Sequence, residues 1–299
     1  MADIVEAWHN GRSDLKRLWR RWARRGGRPI LGVALSGGGA RGVAHIGVMA
    51  ALEEAGIHPD VIAGTSAGSI VGSFWAAGWG SDRMLSEVKN LHWREFLRPR
   101  LPEPLGLVDG QLIEEMVIRR LGPLRIEDLE IPFTAVAADL LSREPVYFRE
   151  GLVARALRAS SALPGIFTPY QDATGRLLVD GGMVNNLPVE AARALGADLV
   201  LAVNVSGAAE KVQQPPQNIF DVLEYSWMMQ RGTAAYHGRD PDWHVVPKIP
   251  RFGLRDLLER AEEIAESGYQ AVRPVLPQII REWRPLLPVE TADPVPPER

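Results

Sequence analysis

Two apolar runs, each cut off by a glycine turn and followed by a helical pattern, constrain this chain more than any other feature. The first is PILGVALSGGGARG, in which Ile30 to Leu35 reads as a buried strand ending in glycines. ARGVAHIGVMAALEEAG continues as a helix, with Val43, Ile46, Gly47, Ala50 and Ala51 on one face and Gly56 as its stop. The second is PDVIAG, a strand, then SAGSIVGSFWAAG, a helix closed by Gly78. Strand, helix, strand, helix at this spacing predicts right-handed βαβ units and a parallel sheet.

The pattern continues downstream. IPFTAVAADL, GRLLVDGG, ADLVLAVNVS and DWHVVP read as strands, and GLVARALRAS and PVEAARALG as helices. Residues 82–121 look helical and looped, broken by Pro99, Pro102 and Pro104. From Leu254 to Trp283 the apolar spacing is helical, and Pro274 and Pro277 must kink or divide it. The reading is an α/β fold: a mostly parallel central sheet flanked by helices, in one domain over residues 29–285. Residues 1–28 form a separate basic arm, and the proline-rich tail 286–299 is expected to be disordered.

Charge and composition narrow the chemistry. A net charge of −3 with 24% charged residues argues against a nucleic-acid partner for the whole chain. With no cysteine there is no thiolate nucleophile, disulfide scaffold or cysteine-ligated metal. No uncharged run reaches membrane-spanning length and no apolar leader precedes a small-residue cleavage site, so a cytoplasmic location is expected. The arm is different. Arg12, Lys16, Arg17, Arg20, Arg21, Arg24, Arg25 and Arg28 face only Asp3, Glu6 and Asp14, and Leu15, Leu18, Trp19 and Trp22 recur at helical spacing. Such a helix suits peripheral contact with an anionic membrane through residues 12–28; the plainer reading is a solvated arm or a helix docked on its own domain.

GTSAG, with Gly64, Ser66 and Gly68, is a G-x-S-x-G turn between a strand and a helix. There a serine projects from the carboxyl edge of the sheet at a helix N-terminus, as a nucleophile requires. The plainer reading is a serine that caps the helix. GGGARG, with Gly37, Gly38, Gly39, Arg41 and Gly42, ends the neighbouring strand. Read as G-x-G-x-x-G it hints at a dinucleotide, but Asp60 precedes the second strand instead of ending it, where a ribose-binding acid belongs. A row of exposed N–H groups beside the serine, an oxyanion hole, fits better, with Arg41 shaping the loop or adding positive potential. For a base, only His237 and His244 follow a suitable acid in Ser-Asp-His order, while Asp180, followed by Gly181 and Gly182, ends a strand. An aspartate within hydrogen-bond reach can serve a serine directly; the plainer reading is an ordinary Asp-Gly turn.

SGGGARGVAHIGVMAALEEAG, IAGTSAGSIVG and LLVDGGMVNNLPV, with RASSALPGIFTPY between, resemble in order the motif blocks of the patatin-like phospholipase family. The resemblance covers residues 30–205. It implies a three-layer sandwich, a Ser-Asp dyad at Ser66 and Asp180, and an oxyanion hole at Gly37, Gly38, Gly39 and Arg41. It also implies hydrolysis of acyl esters of phospholipids, lysophospholipids or neutral lipids with no metal or other cofactor. Asp139 is expected to be structural. Phe74, Trp75, Trp79, Trp93, Phe96 and Leu97 are candidates for an acyl groove or lid, or for plain core. A non-catalytic lipid- or protein-binding regulator of the same fold is the alternative function.

Overall fold

The computed structural model describes residues 28–91, 105–207, 239–249 and 259–283, with isolated positions between 215 and 229. Along them run the strands β1 (Leu31–Leu35), β2 (Val61–Thr65), β3 (Phe133–Asp139), β4 (Pro145–Phe148), β5 (Tyr170–Gln171), β6 (Leu177–Asp180), β7 (Leu199–Val203) and β8 (Trp243–Val245). The helices are α1 (Val43–Glu54), α2 (Ala67–Ala76), α3 (Ser81–Lys89), α4 (Gln111–Leu121), α5 (Val153–Ser160), α6 (Val189–Ala194), α7 (Ala261–Val272) and α8 (Leu276–Trp283).

Hydrogen-bonded neighbours in the one sheet run β5-β6-β3-β2-β1-β7-β8, with β2 and β6 following one another along one edge of β3 and β4 on its other edge. Strands β3, β2, β1, β7 and β8 are mutually parallel, as the apolar runs predict. The departure lies at one end, where β4 and β6 both run antiparallel to β3, and β5 antiparallel to β6. β4 and β5 were not legible as strands: one opens on proline and the other has two residues.

Alternation along each strand sorts residues between two cores. Leu31, Val33 and Leu35 of β1, Ile62 of β2 and Leu201 and Val203 of β7 pack with Ile46 and Met49 of α1, Trp75 of α2 and Ile264 of α7. Ala34, Ala63 and Ala202 face the other way, against Val189, Ala191 and Ala192 of α6. The result is the three-layer sandwich. Phe74, Trp75 and Trp79 belong to the core, with Phe74 and Trp79 edge to face at 4.8 Å, so the plain-core reading holds for them. Trp93, Phe96 and Leu97 lie outside the described residues. Pro274 divides the last helical stretch, sitting in a 3-10 turn between α7 and α8, and Pro277 occupies the first turn of α8.

Two polar anchors belong to this framework. Arg28, counted above as the last cation of the arm, is built into the domain. Its guanidinium forms a fork on Asp60 at 2.7 and 2.9 Å and stacks 4.3 Å from the Trp283 ring. Asp60 also accepts the Leu31 N–H, which explains an acid just before β2 without a nucleotide. Residues 1–27, the remainder of the arm, fall outside the described residues, as does the tail. The second anchor is His45 of α1, fully buried, with Nε2 2.8 Å from the Ser36 carbonyl at the end of β1. Burial holds it neutral and lowers its pKa to about 4.

This histidine makes stability pH-dependent. The unfolded chain takes up a proton below pH 6.5 that the native state refuses until about pH 4, so stability rises with pH across that window. The full effect is about 3 kcal/mol at ~1.4 kcal/mol per unit. In urea unfolding at stepped pH, His45→Gln, which keeps a donor for Ser36, should lose less stability than the wild type between pH 6.5 and 4. Parallel curves for the two proteins would contradict the assignment.

Candidate active site

The register of β3 brings the site together. β2 occupies one edge of β3 up to the pair Thr65↔Val136, and β6 takes over with Ala137↔Asp180. The Pro132 carbonyl, two positions before Thr134, accepts from Ile62, and the Leu140 N–H reaches Leu177. The even positions of β3 therefore face both β2 and β6, while Asp139 N–H, an odd position, bonds Glu144 on the β4 side. Two strands of opposite direction thus meet tip to tip on one edge. Ser66, just past one tip, and Asp180, at the other, become neighbours despite lying 114 positions apart.

Ser66 has φ 51° and ψ −122°, a backbone conformation unusual for a residue with a side chain, which costs on the order of 1–3 kcal/mol. The turn is crowded: a Cβ on Gly68 would stand 2.2 Å from the Leu35 carbonyl oxygen, and one on Gly64 2.5 Å from that of Gly68. Ser66 holds the N-cap position of α2, but its hydroxyl makes no capping bond. It donates instead to Asp180 Oδ2 at 2.6 Å. The capping reading fails on this bond. The Ser66 carbonyl accepts from the Ser69 hydroxyl at 2.6 Å and the Ser69 and Ile70 N–H groups at 2.9 and 3.1 Å.

Asp180 is 1% exposed. Its second oxygen accepts the Gly182 N–H at 2.8 Å, and its own N–H donates to the Ala162 carbonyl at 2.9 Å. Gly181 passes so close to β3 that a Cβ there would lie 2.2 Å from the Val136 carbonyl oxygen, so any side chain would force the carboxylate away.

The glycine loop closes the third side. A Cβ on Gly37 would lie 3.1 Å from that of Ser66, and one on Gly42 2.5 Å from that of Ala67. Gly37 is clamped at both ends of its residue: its N–H donates to the Asn186 carbonyl at 3.1 Å and its carbonyl accepts the Ser206 hydroxyl at 2.6 Å. Asn186 Nδ2 in turn donates to Ser206 at 3.1 Å. The N–H of Gly37 is therefore already engaged. Among the described residues the N–H groups of Gly38 and Gly39 carry no hydrogen-bond partner, and Gly39 is exposed at φ 58°. Arg41 reaches the Ser206 carbonyl at 3.4 Å, the loop-shaping role.

Other candidates separate from the site. His244 lies on β8, three strands from β2 or about 14 Å at the usual strand spacing; His237 lies outside the described residues. Asp139 caps its hairpin, accepting from the Leu141 N–H at 3.1 Å. Asn186 and Ser206 escaped the reading of the sequence. The NNLP stretch in the third motif carried the only signal for the first, and nothing pointed to the second.

The sequence profile described as patatin-like phospholipase matches residues 33–193. An NTE family protein of Mycobacterium tuberculosis is 42% identical over 210 residues, 69% of this chain and 57% of that protein. A lysophospholipase of Aspergillus fumigatus is 34% identical over 73% of this chain and 14% of its own length. The human patatin-like phospholipase domain-containing protein 6 is 33% identical over 70% of this chain and 16% of its own. The chain thus spans under two thirds of these relatives. VipD of Legionella pneumophila shares the fold, with a TM-score of 0.50 at 15% identity over 84% of this chain and 67% of that one. On the profile match and these identities, the chain belongs to the patatin-like phospholipase family.

Proposed function

We propose that this protein is a serine lipid acyl hydrolase, of phospholipase A or lysophospholipase type, working through a Ser66–Asp180 dyad. The observation that carries the reading is the 2.6 Å bond from the Ser66 hydroxyl to a buried carboxylate, made in preference to capping α2. Ser66 Oγ attacks the ester carbonyl while Asp180 takes its proton. The N–H groups of Gly38 and Gly39 hold the oxyanion, aided by the N-terminal end of α2. As the tetrahedral intermediate collapses, the carbonyl–alkoxy bond breaks and the leaving alcohol takes the proton from Asp180. Water then adds to the acyl-serine, passing a proton to Asp180, and the fatty acid leaves as Ser66 is reprotonated. Asp180 needs no histidine for this cycle, because Gly182 N–H keeps its other oxygen occupied and its orientation fixed. Lipid substrates are supported by the family and by the lysophospholipase relative.

Ser66→Ala and Asp180→Asn should each lower hydrolysis of p-nitrophenyl butyrate by at least about 10³-fold with the fold intact. A wild type inert on esters and on every lipid class offered would contradict the hydrolase reading and favour the non-catalytic regulator. Ser206→Ala frees one end of the Gly37 clamp, and its kcat should fall about tenfold at unchanged KM; an unchanged kcat would remove the clamp from the account. The basic arm is proposed to dock on anionic lipid. Deleting residues 1–27, sparing Arg28, should weaken sedimentation with phosphatidylglycerol vesicles and leave soluble-ester turnover unaltered. Equal sedimentation of the truncated chain would count against the arm.

A further inference from the structure

One bond of the β2–β3 ladder is made indirectly, and it falls on the nucleophile. Ile62 N–H donates to the Pro132 carbonyl at 2.9 Å, so the parallel pattern should bring Ser66 N–H, two repeats later, to the Val136 carbonyl. A hydroxyl stands between them instead. Ser160 Oγ, at the last residue of α5, accepts from Ser66 N–H at 2.9 Å and donates to the Val136 oxygen at 2.6 Å. Ser160 and Val136 are fully buried and Ser66 is 6% exposed, so water does not replace the relay cheaply. The inserted oxygen also sits at the seam where β2 ends and β6 begins, beside the peptide of Gly181 that crowds the same Val136 carbonyl.

We propose that Ser160 is a positioning residue for Ser66, a role that rests on reading Ser66 as the nucleophile. Its hydroxyl keeps the Ser66 backbone one oxygen's width off β3, in the φ 51°, ψ −122° conformation that sends Oγ to Asp180. Without it, Ser66 N–H and the Val136 carbonyl either stay unpaired in the core or close directly on each other. Closing draws Ser66 toward β3 and away from the alignment with Asp180 and Gly37. Ser160 is fully buried and offers no surface to a substrate, so the defect belongs to kcat.

The test compares Ser160→Ala with the hydroxyl-bearing Ser160→Thr, reading kcat and KM on p-nitrophenyl butyrate and the rate of Ser66 phosphonylation by a fluorophosphonate. For the alanine variant, kcat and labelling should fall together by about 10- to 100-fold with KM within about twofold, at a melting temperature above that of the assay. Threonine should recover most of both. Should the alanine chain fail to fold, Ser160→Cys, a longer and weaker acceptor, takes its place and should give an intermediate kcat. A folded alanine variant within about threefold of wild type, a loss confined to KM, or a threonine variant no better than alanine would overturn the proposal. If the wild type cleaves no ester, the hydrolase reading fails separately, and the labelling rates still judge Ser160. A wild type that also resists labelling overturns both.

Discussion

The edge of β3 between Val136 and Ala137 is where the rest of the site begins. A strand edge normally accepts one partner along its length; here β2 arrives from one direction and β6 from the other, and both stop at adjacent pairs. The backbone groups at such a seam cannot all continue a ladder, and in a dry interior each must find another partner. The Val136 carbonyl takes the Ser160 hydroxyl, Asp180 N–H takes the Ala162 carbonyl, and the Asp180 carboxylate takes Gly182 N–H and the Ser66 hydroxyl. The polar cluster proposed to support the chemistry is therefore also the solution to a broken sheet.

Rigidity follows from the packing around that seam. Ser66 holds a strained conformation because α2 behind it, β3 beside it and the glycine loop in front leave little room for another. The loop is set by bonds arriving from two distant segments, Asn186 after β6 and Ser206 after β7, so three parts of the chain converge on one residue, Gly37. His45 completes the arrangement from below by holding the Ser36 carbonyl. Pre-set geometry of this kind lets donors act on a developing charge without reorganising.

Much of this was legible in the sequence, for identifiable reasons. Strands buried on both faces are apolar throughout, so β1, β2, β3 and β7 announce themselves, and the glycine turns after β1, β2 and β6 mark the 37–42 loop, Ser66 and Asp180 as belonging to strand ends. That Ser66 and Asp180 meet was implied by the family resemblance, because nothing in spacing encodes which two strand tips abut. β4 and β5 are too short and too exposed to carry a pattern. Ser160 and Ser206 act through hydroxyl-to-backbone bonds, which leave no mark on hydrophobic periodicity. Arg28 followed a run of arginines and shared their reading; only the fold shows it bound to Asp60 and Trp283. Gly37 matched the oxyanion motif, yet its N–H is engaged by Asn186.

One serine, aligned by Asp180 and faced by two unpaired loop N–H groups, is proposed to perform the acyl chemistry. A crystal structure of the protein after reaction with a fluorophosphonate tests it most directly. The expected result is a single adduct on Ser66 Oγ whose phosphonyl oxygen accepts hydrogen bonds from the N–H groups of Gly38 and Gly39. An adduct on another residue, or a phosphonyl oxygen turned away from that loop, would contradict it.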